Sequence, residues 1–343
     1  MKVLIIKLTS MGDLMHAFPA ITDAVNACPE IEFDWVVDHG FSDVPLWHPN
    51  VKNVIKTAHR QWRKAPLKAW RDGLLSDFYA QLNLHNYDVI IDLQSNIKSA
   101  VVSWLVKGDV HGLDKNSCRE KPAHWAYKYQ HSVNTKQHSI EKIRTLMAQA
   151  LKYDMPDKRA DYGVDFSAYA LPRLEFKLPE KYILFIHNAS WLTKLWPQSS
   201  WQDLIQYASD RGYSVLLPCG NNDEFERAQT IAKVDDQAFA LPRLSLNEMA
   251  ALTHHAQAAI CSDTGLAHLA AVASLPTVTL YGATDTKLIG TYGQNQQHCV
   301  SDFDCSPCYK RQCSRAESHN GQPVCMDNMT ADTVWHKLDT LLP

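Results

Sequence analysis

The sequence predicts an α/β protein made of two doubly wound, parallel-sheet domains facing a shared cleft. Three observations predict it. Short apolar runs alternate with helical patterns along both halves of the chain, the pattern of a parallel sheet with crossover helices. In each half one apolar run ends in a tight polar turn that feeds a helix. In the first half this is Lys2–Leu8 followed by Thr9-Ser10-Met11-Gly12-Asp13. In the second it is Ala258–Ile260 followed by Cys261-Ser262-Asp263-Thr264-Gly265-Leu266-Ala267-His268. Between the halves the periodicity lapses from Tyr153 to Glu180, around Pro156, Pro172 and Pro179.

In chain order, the first half has strands expected at Val3–Leu8, Phe33–Val37, Asn53–Thr57, Val89–Leu93 and Val110–Leu113. Helices are expected at Asp13–Ala27, Asp77–Leu84, Ser99–Val106 and Ile140–Leu151. In the last of these Ile140, Ile143, Leu146, Met147, Ala150 and Leu151 keep helical spacing. The second half has strands expected at Tyr182–His187, Ser214–Pro218, Phe239–Leu241, Ala258–Cys261 and Thr277–Tyr281. Its helices are expected at Ser200–Asp210, Glu224–Ala232, Leu246–His255 and Leu266–Ala273, with an amphipathic terminal helix at Ala331–Leu342. Ser245 and Glu248 form a capping box at the start of the third of these. The expected boundaries are a first domain over 1–165, a linker over 166–180, a second domain over 181–328 and the terminal helix over 329–343.

Length agrees with two domains: 343 residues is about twice the usual domain size. The 45% apolar content and mixed charge fit a globular protein. No apolar stretch approaches the roughly 20 residues of a membrane helix, and the first apolar run reads as a strand rather than a secretory leader. A cytosolic setting is therefore expected, with no nucleic-acid partner. The net charge of −3 is unevenly spread: residues 1–165 carry 21 Lys and Arg against 19 Asp and Glu, and the rest carry 13 against 18. Lys52, Lys56, Arg60, Arg63, Lys64, Lys68 and Arg71 follow one another with no carboxylate among them. Such a run is either a solvated face or a site for an anionic partner.

The turns carry the chemistry. A helix N-terminus offers unpaired N–H groups and about half a positive charge, so the turn before Leu266 suits a phosphate, and Gly265 lets the backbone approach it. Asp263 can cap that helix or orient a sugar hydroxyl. The G-x-G-x-x-G fingerprint and the Walker A motif are both absent, which counts against an ordinary dehydrogenase or NTPase. Asp13 is either a general base or a helix-start carboxylate. Lys194 lies beyond the strand at Tyr182–His187, where a cation can neutralise a diphosphate, and Asn188, Ser190 and Thr193 add hydrogen-bonding groups. Glu224 can accept from a ribose hydroxyl or serve as a first-turn acid. His268 can donate to phosphate or fill the core. Cys305, Cys308, Cys313 and Cys325 are spaced C-x2-C-x4-C-x11-C with His319 nearby. That spacing allows a structural zinc, with free thiols or an oxidisable pair the commoner outcome.

Taken together, Ser10-Met11-Gly12-Asp13, Phe33-Asp34-Trp35-Val36-Val37, Trp62-Arg63-Lys64-Ala65, Asp263-Thr264-Gly265-Leu266, Tyr281-Gly282 with Thr284-Asp285, Leu288-Ile289-Gly290 and Tyr292-Gly293 make a specific pattern. In this order and spacing the chain resembles the ADP-heptose:lipopolysaccharide heptosyltransferases, glycosyltransferase family 9, over nearly its whole length. The resemblance implies the GT-B fold: two Rossmann-like domains, the first binding acceptor and the second ADP-sugar. It implies an inverting transfer of L-glycero-D-manno-heptose from ADP-heptose, with no catalytic metal and no obligate protein partner. The acceptor it implies is the Kdo residue of Kdo2-lipid A, at the inner face of the cytoplasmic membrane; the alternative is a later core acceptor. It gives Asp13 the base role and Lys194 the donor phosphates. Ser190, Thr193, Asp263, Thr264, Gly265 and His268 would surround the diphosphate and heptose, with Glu224 at the ribose and Leu244 at the adenine. Ser10, Gly12, Arg60, Arg63, Lys64 and Arg119 would face the acidic acceptor. The chain departs from the pattern at Leu195, where a histidine is usual before Trp196. Its Cys-rich tail is more like that of the family members that act later.

Overall fold

A computed structural model describes residues 1–318 and 322–342. The chain divides into two compact units, Met1–Asp165 and Phe166–Pro343. The first is built on strands β1 (Lys2–Ile6), β2 (Glu32–Asp38), β3 (Val51–Thr57), β4 (Val89–Asp92), β5 (Val110–Leu113) and β6 (Tyr129–His131). They form one parallel sheet in the order β3-β2-β1-β4-β5-β6. The second unit holds β7 (Tyr182–Ile186), β8 (Ser214–Leu217), β9 (Ala238–Ala240), β10 (Ala258–Ser262), β11 (Thr277–Tyr281) and β12 (Gln296–Val300). These form a second parallel sheet, β12-β11-β10-β7-β8-β9. Counted from its own first strand, this sheet repeats the order of the first, the 3-2-1-4-5-6 arrangement of dinucleotide folds.

The central strands are apolar because both of their faces are covered. Val3–Ile6 are fully buried, as are Ile183–Phe185 and Ala258–Cys261. In each sheet the strand order reverses at its centre, between β1 and β4 and between β7 and β10. A crevice opens beyond the carboxyl ends of the strands at such a point. The residues that follow β1, β7 and β10 therefore sit where ligands bind in folds of this kind.

The first unit carries helices α1 (Met11–Met15), α2 (Phe18–Ala27), α3 (His59–Lys64), α4 (Pro66–Arg71), α5 (Leu74–Leu82), α6 (Ile97–Leu105) and α7 (Ser139–Leu151). The second carries α8 (Gln198–Asp210), α9 (Asn222–Ala232), α10 (Leu246–His255), α11 (Gly265–Val272), α12 (Thr286–Ile289) and α13 (Ala331–Asp339). The single helix expected at Asp13–Ala27 is two, α1 and α2, because Pro19 at the start of α2 cannot donate into a continuous helix. The expected capping box is present: Ser245 accepts from Glu248 N, and Glu248 accepts from Ser245 N. Trp196 anchors the C-terminal segment by donating from Nε1 to the carbonyls of Met326 and Met329. Among the described residues no helix is long and apolar enough to cross a membrane.

Candidate active site

In the first unit the turn after β1 brings Asp13 to the third position of α1. Its Oδ2 accepts from Ser10 N at 3.0 Å and from Ser10 Oγ at 2.8 Å. The carboxylate thus does close the helix start, and the side chain stays only partly buried. Lys7, at the end of the β1 run, is buried and donates from Nζ to the carbonyl of Leu93 at 3.0 Å. Burial pushes its ammonium below the ordinary lysine range, against the opposing pull of Asp13 and Asp92. Burial would also raise the Asp13 carboxyl. The Lys7 charge, the two Ser10 bonds and Arg119 outweigh it and hold the group below its ordinary value. Asp13 is therefore an ionised acceptor throughout the neutral range.

Four cations were expected near the acceptor. Arg119 is exposed and acts on both Asp13 and Lys7. Arg60, Arg63 and Lys64 lie on α3 at spacings of three and four, so they share one helix face. Trp62 turns the other way and packs on Phe78, with ring centroids 5.3 Å apart. Among the described residues none of the three α3 cations is ion-paired. Gly12 is buried within α1, and Ser10 is spent on Asp13.

In the second unit Asp263 follows β10, and Thr264 takes the N-cap position of α11 in extended conformation. Asp263 does not cap the helix. Its Oδ2 pairs with Lys194 Nζ at 2.7 Å and accepts from Thr284 Oγ1. Lys194, at the end of the short 3-10 turn Leu192–Lys194, also lies 4.7 Å from the ring centroid of Trp191. A fixed ammonium and the open N–H groups of Gly265 and Leu266 thus flank one strand end. Together they place a cation, matched by the Asp263 carboxylate, beside a helix N-terminus. His268 is buried in the first turn of α11. Ser190 is exposed in the loop before the 3-10 turn, and Thr193 is buried with its hydroxyl donating to the Lys310 carbonyl at 2.5 Å.

Glu224 is the third residue of α9. Its N–H is capped by Asn221, and its Oε2 accepts from Gly220 N at 2.7 Å, closing the turn after β8. Beside that turn is a cavity of about 570 Å³ lined by Cys219, Asn221, Asn222, Phe225, Pro242 and Arg243. Leu244, half-buried, follows Arg243 in the same loop.

Lys7, Trp191, Thr284 and Arg311 were not among the expected site residues. Arg311 reaches Trp191 from the Cys-rich loop, with its guanidinium 5.8 Å from the ring centroid. Lys7 leaves a mark in the sequence as a lysine inside an apolar run, and Thr284 as part of the motif pattern. The four tail cysteines are free. Burial pushes the Cys325 thiol up to about 11, and Cys305, Cys308 and Cys313 add to the shift. Among the described residues no group of three or more His, Cys, Asp or Glu side chains is assembled to hold a metal. His319 lies outside the described residues.

The family model for glycosyltransferase family 9 (heptosyltransferase) matches residues 76–319. The chain belongs to this family. It is 40% identical to lipopolysaccharide heptosyltransferase 1 of Pseudomonas aeruginosa over all of this chain and 98% of the relative. The solved structure of E. coli heptosyltransferase WaaC with ADP superposes with a TM-score of 0.87 at 35% identity, covering 99% of this chain and all of the other. The structure of the same E. coli enzyme with ADP-2-deoxy-2-fluoro heptose gives 0.84 at the same identity, covering 99% of each chain. The fold is GT-B, and the protein is a heptosyltransferase of lipopolysaccharide synthesis.

Proposed function

We propose that this heptosyltransferase moves L-glycero-D-manno-heptose from ADP-heptose to the Kdo residue of Kdo2-lipid A, with inversion at the anomeric carbon. The first unit holds the acceptor and the second holds the donor. The observation that carries the donor half is the Lys194–Asp263–Thr284 cluster beside the N-terminus of α11. A sugar hydroxyl is a poor nucleophile, so Asp13 takes its proton as attack begins. The anomeric carbon is attacked opposite the departing ADP and passes through an oxocarbenium-like state. Lys194 and the first amides of α11 meet the charge that grows on the diphosphate. Thr264, Gly265 and His268 surround the diphosphate and heptose. Glu224 holds the ribose through Oε1, since Oε2 is engaged with Gly220, and the adenine rests in the cavity bordered by the Leu244 loop. Arg60, Arg63, Lys64 and Arg119 grip the carboxylates and phosphates of the acceptor, where guanidinium forks fit well. The work is done at the inner face of the cytoplasmic membrane, where such an acceptor is presented.

The test is direct. Purified protein is incubated with ADP-heptose and either Kdo2-lipid A or the same lipid already carrying one heptose. Product from the first acceptor is expected. Product from the second alone rejects the assignment in favour of a later core step.

A further inference from the structure

One face of the first unit is apolar, exposed and bordered by cations. Helix α6 buries Ser99, Ala100, Val102 and Ser103 against the sheet. Its opposite face presents Ile97, Val101, Trp104 and Leu105 to solvent, Trp104 at 59% exposure. An apolar face turned to solvent on a packed helix has room for a second apolar neighbour besides its own core. The segments on either side extend the surface. Asn83, just after α5, bonds the Leu105 carbonyl at 3.1 Å and the Lys107 N–H at 2.6 Å. At the other end Glu120 accepts from Ile97 N at 2.9 Å, tying α6 to the 3-10 segment Lys121–Ala126. That segment exposes Trp125 at 71%, and α4, which packs on α5, exposes Trp70 at 74% and Leu67 at 82%.

The segments that carry this face, residues 59–82, 97–107 and 119–128, hold ten Lys and Arg against three Asp and Glu; of the ten, Arg71 pairs with Asp72 and Lys128 with Asp109. Glu120 is spent on the Ile97 amide. Protein–protein interfaces enrich tryptophan but deplete lysine. Tryptophan and lysine together on an amphipathic surface match the boundary between lipid headgroups and acyl chains. We infer that α6, α4 and the Lys121–Ala126 segment form a docking face for an anionic phospholipid bilayer, with Trp70, Trp104 and Trp125 seated at headgroup level. This inference rests on the proposal that the acceptor is a lipid, and it names the surface by which the enzyme would reach that lipid.

The full chain is tested by sedimentation with vesicles of phosphatidylcholine alone and with about a third phosphatidylglycerol. Wild type is expected to bind the anionic vesicles, to release them in high salt, and to show blue-shifted tryptophan emission when bound. The variant V101Q/W104Q should bind at least ~10-fold more weakly. Neutralising Lys68 and Lys98 together (K68Q/K98Q) should cost about 25-fold, at roughly fivefold per cation. These side chains are exposed, so melting temperature and turnover with a water-soluble, deacylated acceptor should stay at wild-type values. No binding to anionic vesicles overturns the inference, as does equal binding by V101Q/W104Q. A lipid-free dimer that V101Q/W104Q dissolves overturns it in favour of a second copy of the chain. Failure of wild type to turn over the soluble acceptor counts against the proposed reaction instead, and vesicle binding does not depend on that result.

Discussion

Replacing Asp13 with asparagine separates its two roles. The amide keeps the shape of the carboxylate, and its oxygen can still accept from Ser10 N and Oγ, which bond Oδ2 at 3.0 and 2.8 Å. What changes is charge. Two charge-assisted hydrogen bonds become ordinary ones, a loss of about 1 to 2 kcal/mol in a partly exposed setting. Buried Lys7 also loses a compensating partner, so its ammonium falls further below the ordinary range. Melting should drop by about 2 to 8 °C, and the protein should stay folded at 25 °C. The base is lost outright. Turnover should fall by ~10²- to 10⁴-fold, a barrier increase of about 2.7 to 5.4 kcal/mol. ADP release under saturating donor and acceptor measures the rate, and calorimetric titration with ADP should give an affinity close to wild type. A D13N turnover within threefold of wild type would refute the base assignment. Because Asp13 is held below its ordinary carboxylate value, the wild-type pH–rate profile should show no acid limb from this group between pH 5 and 8. An acid limb near pH 6 that moves when Lys7 is changed to methionine would contradict the electrostatic account.

Changing Arg60 and Arg63 together to alanine should raise the acceptor KM at least ~10-fold and leave the donor KM within about twofold. Equal effects on both would point to a folding defect or a different acceptor surface. Gly112→Ala should destabilise the first unit by about 1 to 3 kcal/mol in urea unfolding, since a Cβ there meets the Tyr127 ring at 2.4 Å and that ring is held by the bond from Tyr127 OH to Asp92; an unchanged midpoint would show that Tyr127 moves aside freely. Burial holds His187 neutral down to about pH 3, against 6.5 in the unfolded chain. Its contribution is therefore complete above pH 6.5 and is lost as pH falls, at about 1.4 kcal/mol per unit. His187→Gln should flatten that slope in unfolding titrations between pH 7 and 5, and an unaltered slope would assign it elsewhere.

The centre of each sheet was legible because its strands are buried on both faces and therefore read as continuous apolar runs. The edge strands β3 and β9 were legible too, but the edge strands β6 and β12 were not. β6 is Tyr129-Gln130-His131, largely exposed, and β12 begins with Gln296-Gln297-His298. Neither shows the apolar pattern on which the prediction rests. Helices α3 and α4 were hidden by their charge, since one turn to the core (Trp62, Ala69) leaves little periodicity. At the site, the turn motifs located Asp13 and Asp263 in the chain. Their place at the strand-order reversals came only from the pairing of β1 with β4 and β7 with β10. The partners that tune them are distant in sequence. Thr284 reaches Asp263 from beyond β11, and Arg311 reaches Trp191 from the tail. Local pattern does not encode such pairs.

The most direct test is a crystal structure with an unreactive fluorinated ADP-heptose in place. The diphosphate should lie within hydrogen-bonding distance of Lys194 Nζ and of an N–H in the first turn of α11, with Glu224 on the ribose. A diphosphate bound elsewhere, with Lys194 still closed on Asp263 alone, would contradict the claim that a fixed cation and a helix end absorb the leaving charge.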